Sequence, residues 1–284
     1  MDMIYAAFLG LMQGVAEFLP ISSSGHLALF ENLFGVEALE TVGDSALFNI
    51  LLHFATLVAV IVAYWPDVKA MCVEGVGMVK SVLKREPILG RGEPIPARRL
   101  LLMIIVATLP LFLIVPFQDA LEELNEMPGF IGLALIATGT LLFVSDRMRR
   151  GTKTERDMTV VDALVVGVAQ GLATIPGLSR SGTTITVGMS RGFERDFAVR
   201  FSFLMSLLSV TGAVVLKIFD VIEEGFDASL LPMYLVGMVI AGVTGYFCIK
   251  LLQKIIQNGR FGGFAYYCWA VGALSILLSL VLGS

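Results

Sequence analysis

Six stretches of this chain are too apolar to face water and too long to be single buried strands. They lie near residues 46–65, 99–117, 129–145, 197–218, 231–251 and 264–282. A helix rises about 1.5 Å per residue, so a run of roughly 18 or more apolar residues matches a hydrocarbon core about 30 Å thick. Over 284 residues the chain is 56% hydrophobic and only 15% charged, which excludes an ordinary soluble domain. The expected fold is therefore all-α and integral to a membrane, with residues 1–284 forming one membrane domain. The start, Met1-Asp2-Met3, has no basic residue and does not read as a cleavable signal peptide. Cys72, Cys248 and Cys268 show no paired or CxxC spacing and read as core or lipid-facing residues. The net charge of −4 matters less than where the charges sit, and no nucleic-acid partner is expected.

Basic residues mark the cytoplasmic side of a membrane protein. They gather in four segments: 66–99 (Lys69, Lys80, Lys84, Arg85, Arg91, Arg98, Arg99), 146–157 (Arg147, Arg149, Arg150, Lys153, Arg156), 191–200 (Arg191, Arg195, Arg200) and 250–260 (Lys250, Lys254, Arg260). Between them lie acidic segments with Glu37, Glu40 and Asp44, with Asp119, Glu122, Glu123 and Glu126, and with Asp220, Glu223, Glu224 and Asp227. The alternation suits six spans except at one place. Segments 146–157 and 191–200 are both basic, yet the apolar stretch of about 159–190 separates them. One crossing would put a basic cluster outside. A re-entrant helix-loop-helix returns the chain to the same side.

That stretch contains GVAQGLATIPGLSRSGTT, and the N-terminus contains GLMQGVAEFLPISSSGH. When Gly10 is laid on Gly167, Gln13 meets Gln170, Gly14 meets Gly171, Ala16 meets Ala173, Ser22 meets Ser179, Ser24 meets Ser181 and Gly25 meets Gly182; Pro20 and Pro176 fall one position apart. The reading is an internal duplication, with repeat one at about 1–146 and repeat two at about 158–284. Each half is expected to hold one re-entrant pair and three spans. An odd number of crossings inverts the second copy relative to the first. The expected architecture is six transmembrane helices plus two re-entrant helix-loop-helix pairs, with both termini outside and the two tips meeting near the middle. Irregular backbone at membrane depth is tolerated only where it is buried in protein or lines a cavity, so the tips point to a site.

The polar residues at those tips define its chemistry. Arg180 is the one basic residue deep in an apolar segment, where an unpartnered Arg costs at least about 2.5 kcal/mol. Ser179, Ser181, Thr183 and Thr184 surround it with hydroxyls at the start of a half-helix, a cradle for an oxyanion. At the other tip Gln13 and Glu17 are four apart, hence on one helix face, just before Pro20. Such an oxygen pair can hold Mg²⁺ or Ca²⁺, the remaining ligands being water and phosphate. Ser22, Ser23 and Ser24 open the next half-helix and offer hydroxyls and N–H groups to an anion. His26 can move protons near neutrality, whereas His53, mid-span and without a polar cluster, reads as a packing residue. A site that binds phosphate at membrane depth implies a substrate whose remainder is lipid.

Two motifs carry a resemblance. Gln13 to Glu17 followed by Ser22-Ser23-Ser24-Gly25-His26, and Pro176-Gly177-Leu178-Ser179-Arg180-Ser181-Gly182-Thr183-Thr184, are similar to those of undecaprenyl-diphosphate phosphatases, the bacitracin-resistance family. The similarity covers essentially the whole chain; one departure is Gln13, where many members carry Glu. The Ser-Arg element also echoes acid-phosphatase-like lipid phosphatases, but the second His and the upstream Lys-to-Arg-Pro element of that pattern are missing. The resemblance implies a cell-membrane hydrolase that removes the terminal phosphate of a polyprenyl diphosphate, regenerating the lipid carrier of cell-wall glycan synthesis and conferring bacitracin resistance. It implies a divalent cation at Glu17 and Gln13, catalytic roles for Ser23, His26, Glu17 and Arg180, and phosphate contacts from Ser22, Ser24, Ser179, Ser181, Thr183 and Thr184. Membrane lipids are the other expected partners, and a homodimer is compatible with the chain.

Two other functions compete: a lipid-phosphate flippase built on the same inverted repeat, and a drug-resistance channel or scaffold without chemistry, which leaves Glu17, His26 and Arg180 unexplained. Three catalytic routes are open: attack by Ser23 with His26 as base, attack by His26 itself, or attack by activated water. The first hairpin enters from the acidic side, so the site is expected to open to the outer face.

Overall fold

The computed structural model describes residues 3–34, 45–85, 95–224, 228–258 and 261–282. Glu37, Glu40, Asp44, Arg91, Asp227 and Arg260, used above to assign sides, lie outside the described residues. The order of helices is α1 (Met3–Phe18), α2 (Ser23–Phe34), α3 (Ser45–Ala63), α4 (Trp65–Leu83), α5 (Pro96–Thr108), α6 (Gln118–Glu123), α7 (Pro128–Ser145), α8 (Val160–Leu172), α9 (Arg180–Ser190), α10 (Arg195–Glu224), α11 (Leu231–Gln257) and α12 (Gly263–Leu282). Among the described residues everything regular is helical, apart from one isolated bridge between Lys153 and Phe193.

All six apolar runs are helical, but three differ from their expected bounds. The run at 99–117 is not one α-helix: α5 stops at Thr108 and continues as 3₁₀ turns over Leu109–Leu113 and Val115–Phe117. Pro110 and Pro116 have no N–H to donate back to the preceding turn. The run at 197–218 extends to 30 residues in α10, and that at 231–251 to 27 in α11. Residues 66–99, expected to be a basic loop, instead begin with the 19-residue α4. Pro66 suits the first turn of a new helix, and the chain bends by 92° between α3 and α4. Among the described residues four helical segments are long and apolar enough to cross a membrane, five if α3 and α4 are counted as one bent span. The protein is thus a multi-pass membrane protein in its described part.

Small residues let the helices touch. A Cβ at Gly132 of α7 would lie 2.6 Å from the Gly272 carbonyl of α12, and one at Gly272 would meet Gly132 equally closely. With lipid on the outside there is no hydrophobic gain from pairing helices, so close backbone approach and dispersion supply the attraction.

Two helix pairs are too short to cross alone. At about 1.5 Å per residue α1 measures about 24 Å and α8 about 20 Å. Each pair doubles back. Phe8 of α1 and Phe30 of α2 have ring centroids 5.1 Å apart. Asp162, in the first turn of α8, accepts from Arg191 just past α9 at 2.8 Å and from Lys153 at 3.0 Å. Asp162 is fully buried and also closes a capping box with Thr159. The four basic segments meet here and nearby: Arg99 donates to the Met158 carbonyl at 2.7 Å, Arg200 pairs with Asp67 and Glu155, and Arg195 donates to the Ile256 carbonyl at 3.5 Å.

The breaks share a hydrogen-bond pattern. Ser22 Oγ accepts from the Gly25 N–H at 3.2 Å, and Ser179 Oγ accepts from the Gly182 N–H at 3.1 Å, so matched residues of the two motifs cap α2 and α9. Left-handed backbone makes each turn, at Ser22 (φ 71°) and Gly177 (φ 88°). The two breaks also meet: a Cβ on Gly25 would come within 2.9 Å of the Gly177 backbone. Glycine at position 25 allows this approach, while a Cβ on Gly177 would strike Ala134 and Ile131 of α7.

Candidate active site

The site is assembled where the two breaks touch. Glu17 is the penultimate residue of α1, and its side chain is only 7% exposed. One carboxylate oxygen is ion-paired with Arg180, the first residue of α9. The other accepts from Ser23 Oγ at 2.9 Å and from Gln13 Nε2 at 3.1 Å. Gln13 is fully buried, and its Oε1 is buried without a hydrogen-bond partner. The helix spacing of four that places Gln13 beneath Glu17 is local; the meeting with Arg180 is tertiary.

His26 lies one turn into α2. Its Nδ1 sits 2.7 Å from the Ser22 carbonyl and its Nε2 2.8 Å from Tyr267 Oη. A carbonyl only accepts, so Nδ1 carries the proton and Nε2 of the neutral ring accepts from the tyrosine hydroxyl. The expected Ser23–His26 pair is therefore replaced by two others. Both imidazole nitrogens are engaged by Ser22 and Tyr267, while Ser23 donates to Glu17. The left-handed turn at Ser22 causes this, because it aims the first residue of α2 back at the end of α1.

Three of the hydroxyls around Arg180, those of Ser179, Ser181 and Thr184, are likewise engaged. Ser179 Oγ caps α9 and lies 3.3 Å from Ser181 Oγ. Thr184 Oγ1 donates to the Arg180 carbonyl at 2.8 Å and lies 2.6 Å from Ser202 Oγ of α10. Ser179, Ser181, Thr183 and Thr184 are all buried, Thr183 Oγ1 without a partner. With this bonding Ser179, Ser181 and Thr184 build the start of α9, and Arg180 alone among them reaches across to Glu17. Ser24 is exposed, its Oγ 3.4 Å from that of Ser22.

Three residues at the site were not singled out for it by sequence. His53 of α3, read from sequence as a packing residue, places Nε2 4.0 Å from Glu17 while its Nδ1 lies 2.9 Å from the Asn49 carbonyl of its own helix. Its signal was available, since an ionisable group inside a span is a functional candidate by default. Tyr267 had no such signal, because Tyr266, Tyr267 and Trp269 resemble the aromatic residues that anchor many span ends. Thr138 of α7 pins the second break, donating to the Gly177 carbonyl and accepting from the Ser179 N–H, both at 3.1 Å.

Among the described residues no group of three or more His, Cys, Asp or Glu converges as a metal-binding set. The oxygens that are present still fit a hard cation. Glu17 supplies one carboxylate, and Gln13 Oε1 is an acceptor with nothing to accept from. Mg²⁺ is commonly held by one or two protein oxygens, with phosphate and water completing its shell.

Comparison with known proteins gives a consistent result. A family model described as bacitracin resistance protein BacA matches residues 6–274. The chain is 39% identical over 278 residues to the undecaprenyl-diphosphatase of Alkaliphilus metalliredigens, covering 97% of this chain and 98% of that one. It is 38% identical over 293 residues to the protein of the same name from Methanosphaera stadtmanae (99% and 100% covered), and 36% identical over 280 residues to that of Halothermothrix orenii (98% and 99%).

Proposed function

The chain belongs to the bacitracin resistance protein BacA family, and from that premise we propose how its residues act on undecaprenyl diphosphate. The activity is hydrolysis: the terminal phosphate is removed and the lipid monophosphate carrier is regenerated, which underlies bacitracin resistance. The observation that carries the mechanism is the bonding of Glu17, which holds the Ser23 hydroxyl on one oxygen and Arg180 on the other. The relatives do not favour the flippase alternative, and a hydroxyl already bonded to a carboxylate is what chemistry needs and transport does not.

In this reading the terminal phosphate draws Arg180 from Glu17 into a bidentate contact suited to phosphate. The carboxylate is then free to take the Ser23 proton. Ser23 Oγ forms a bond to the terminal phosphorus as the bond from that phosphorus to the bridging oxygen breaks, and undecaprenyl phosphate leaves. Water next attacks the phosphoserine, its oxygen bonding to phosphorus as the Oγ–P bond breaks. Phosphate departs, and Ser23 regains its proton. The exposed Ser24 hydroxyl and the unpaired first N–H groups of α2 and α9 bind phosphate oxygens. His26, held as its Nδ1–H tautomer, orients water or relays a proton through Tyr267. A divalent cation, when bound, would be held by Glu17 and Gln13 and would neutralise charge on the diphosphate. Preorganised charge of this kind is commonly the largest contribution to catalysis.

The proposed architecture is six spans with α1–α2 and α8–α9 as re-entrant pairs, each half of the chain an inverted copy of the other. The doubled-back pairs, the matched serine caps and the convergence of basic segments support it. The site then opens to the outer face of the cell membrane. Phosphate release from detergent-solubilised undecaprenyl diphosphate, measured with and without chelator, tests the activity; transport of the lipid across vesicles without phosphate release would replace it.

A further inference from the structure

A groove of about 610 Å³ runs beside the site. Its walls are Val15, Leu19 and Ile21 from the first break, Ile255 from the end of α11, and Phe264 and Tyr267 from the start of α12. It is continuous with the catalytic cluster at two points. Leu19 and Ile21 belong to the short link between Glu17 and Ser23, and Tyr267 bonds His26 at 2.8 Å while its ring, 45% exposed, lines the groove. The break is tied to the same wall, since Cys268 Sγ lies 3.8 Å from the Pro20 carbonyl.

We propose that this groove holds the first isoprene units of the prenyl chain, with Tyr267 at the neck between phosphate site and tail. The assignment rests on the phosphatase reading above and adds to it the path of the lipid. A diphosphate ester at Glu17 and Arg180 needs an apolar exit for its first carbons, and these walls supply one next to the site. The direction also fits. Ile255 and Phe264 flank the turn between α11 and α12, at the end where the basic segments gather. A lipid offering its diphosphate from the opposite face leaves its tail pointing toward this end. The volume falls within the roughly 300–1,000 Å³ of small-ligand pockets, enough for a few isoprene units but not for a long prenyl chain. Recognition therefore rises with chain length over the first units and then levels off.

Gly263 lines the groove, and a Cβ there meets nothing within 4 Å, so a larger side chain is accommodated at the groove's edge without displacing a neighbour at its base. The experiment compares purified wild type and Gly263→Leu on prenyl diphosphates of two, four and eleven isoprene units. In the wild type kcat/KM is expected to rise at least tenfold from two to four units. In Gly263→Leu the loss on the eleven-unit substrate is expected to exceed that on the two-unit substrate at least tenfold. Equal losses on both, or no loss, overturn the groove assignment while leaving the phosphatase reading intact. A second measurement does not depend on turnover: a prenyl monophosphate with a photoreactive group on its first isoprene unit is cross-linked to the protein. Adducts on residues 255–267 that excess unlabelled prenyl phosphate removes support the groove. Adducts elsewhere, or adducts removed equally by ordinary phospholipid, overturn it, the latter showing a bilayer acyl chain as occupant. If the wild type releases no phosphate from any of the three substrates, the phosphatase reading fails, and cross-linking alone decides the groove.

Discussion

Glu17 and Arg180, 163 positions apart, are ion-paired across the junction of the two helix breaks. The pair is nearly buried on the carboxylate side and joins the first half of the chain to the second. Glu17→Gln keeps the shape but loses the charge that takes the serine proton. Its kcat is expected to fall by about 10²- to 10⁴-fold, the usual worth of a positioned base. Arg180→Lys is expected to cost about 10²-fold, because an ammonium cannot reproduce the guanidinium fork. Phosphate-release kinetics check both, and near-normal turnover in Arg180→Lys would reduce Arg180 to a counter-charge.

Ser23 donates its hydroxyl to that same carboxylate, so Ser23→Ala should lower kcat by roughly 10³-fold or more. Rapid quenching of wild type with labelled substrate should trap phosphate on the protein in an acid-stable, base-labile form. An acid-labile adduct would move the nucleophile to His26. Full turnover in Ser23→Ala would eliminate the serine route.

Gln13 offers a buried amide oxygen with no partner, directly beneath Glu17. Removing divalent cations by chelation and dialysis should abolish activity, and adding Mg²⁺ or Ca²⁺ should restore it. Gln13→Glu should stay active, with the cation concentration for half-maximal rate lowered by about tenfold, since a second carboxylate strengthens a hard-cation site. Unchanged activity after exhaustive chelation would remove the cation from the mechanism.

Arg150 and Glu126 are both exposed, and the proposed topology puts them on opposite sides. In a background with Cys72, Cys248 and Cys268 replaced by Ser, a cysteine at Glu126 should react with an impermeant thiol reagent added to intact cells. A cysteine at Arg150 should react only after the membrane is opened. Labelling of both from outside would sink the inverted arrangement.

The sequence by itself determined the class of protein, the two breaks and the residue types gathered at them. These depend on contiguous chain. Apolar length decides what enters lipid, Pro20 has no N–H to continue α1 past Phe18, Pro176 lies in the turn that follows α8, and serines cap the helices that come next. Even the shared caps at Ser22 and Ser179 were legible as matched positions. Tertiary structure decided which groups meet. A spacing of three allowed Ser23 to reach His26, but the left-handed turn at Ser22 sends Ser23 to Glu17, and Tyr267, 241 positions from His26 in sequence, takes the imidazole instead. Likewise α4 is helical where its basic residues read as a loop, and His53 joins the site from another helix. Side chains project from a helix at every angle around its axis, and only packing selects the neighbour each one finds.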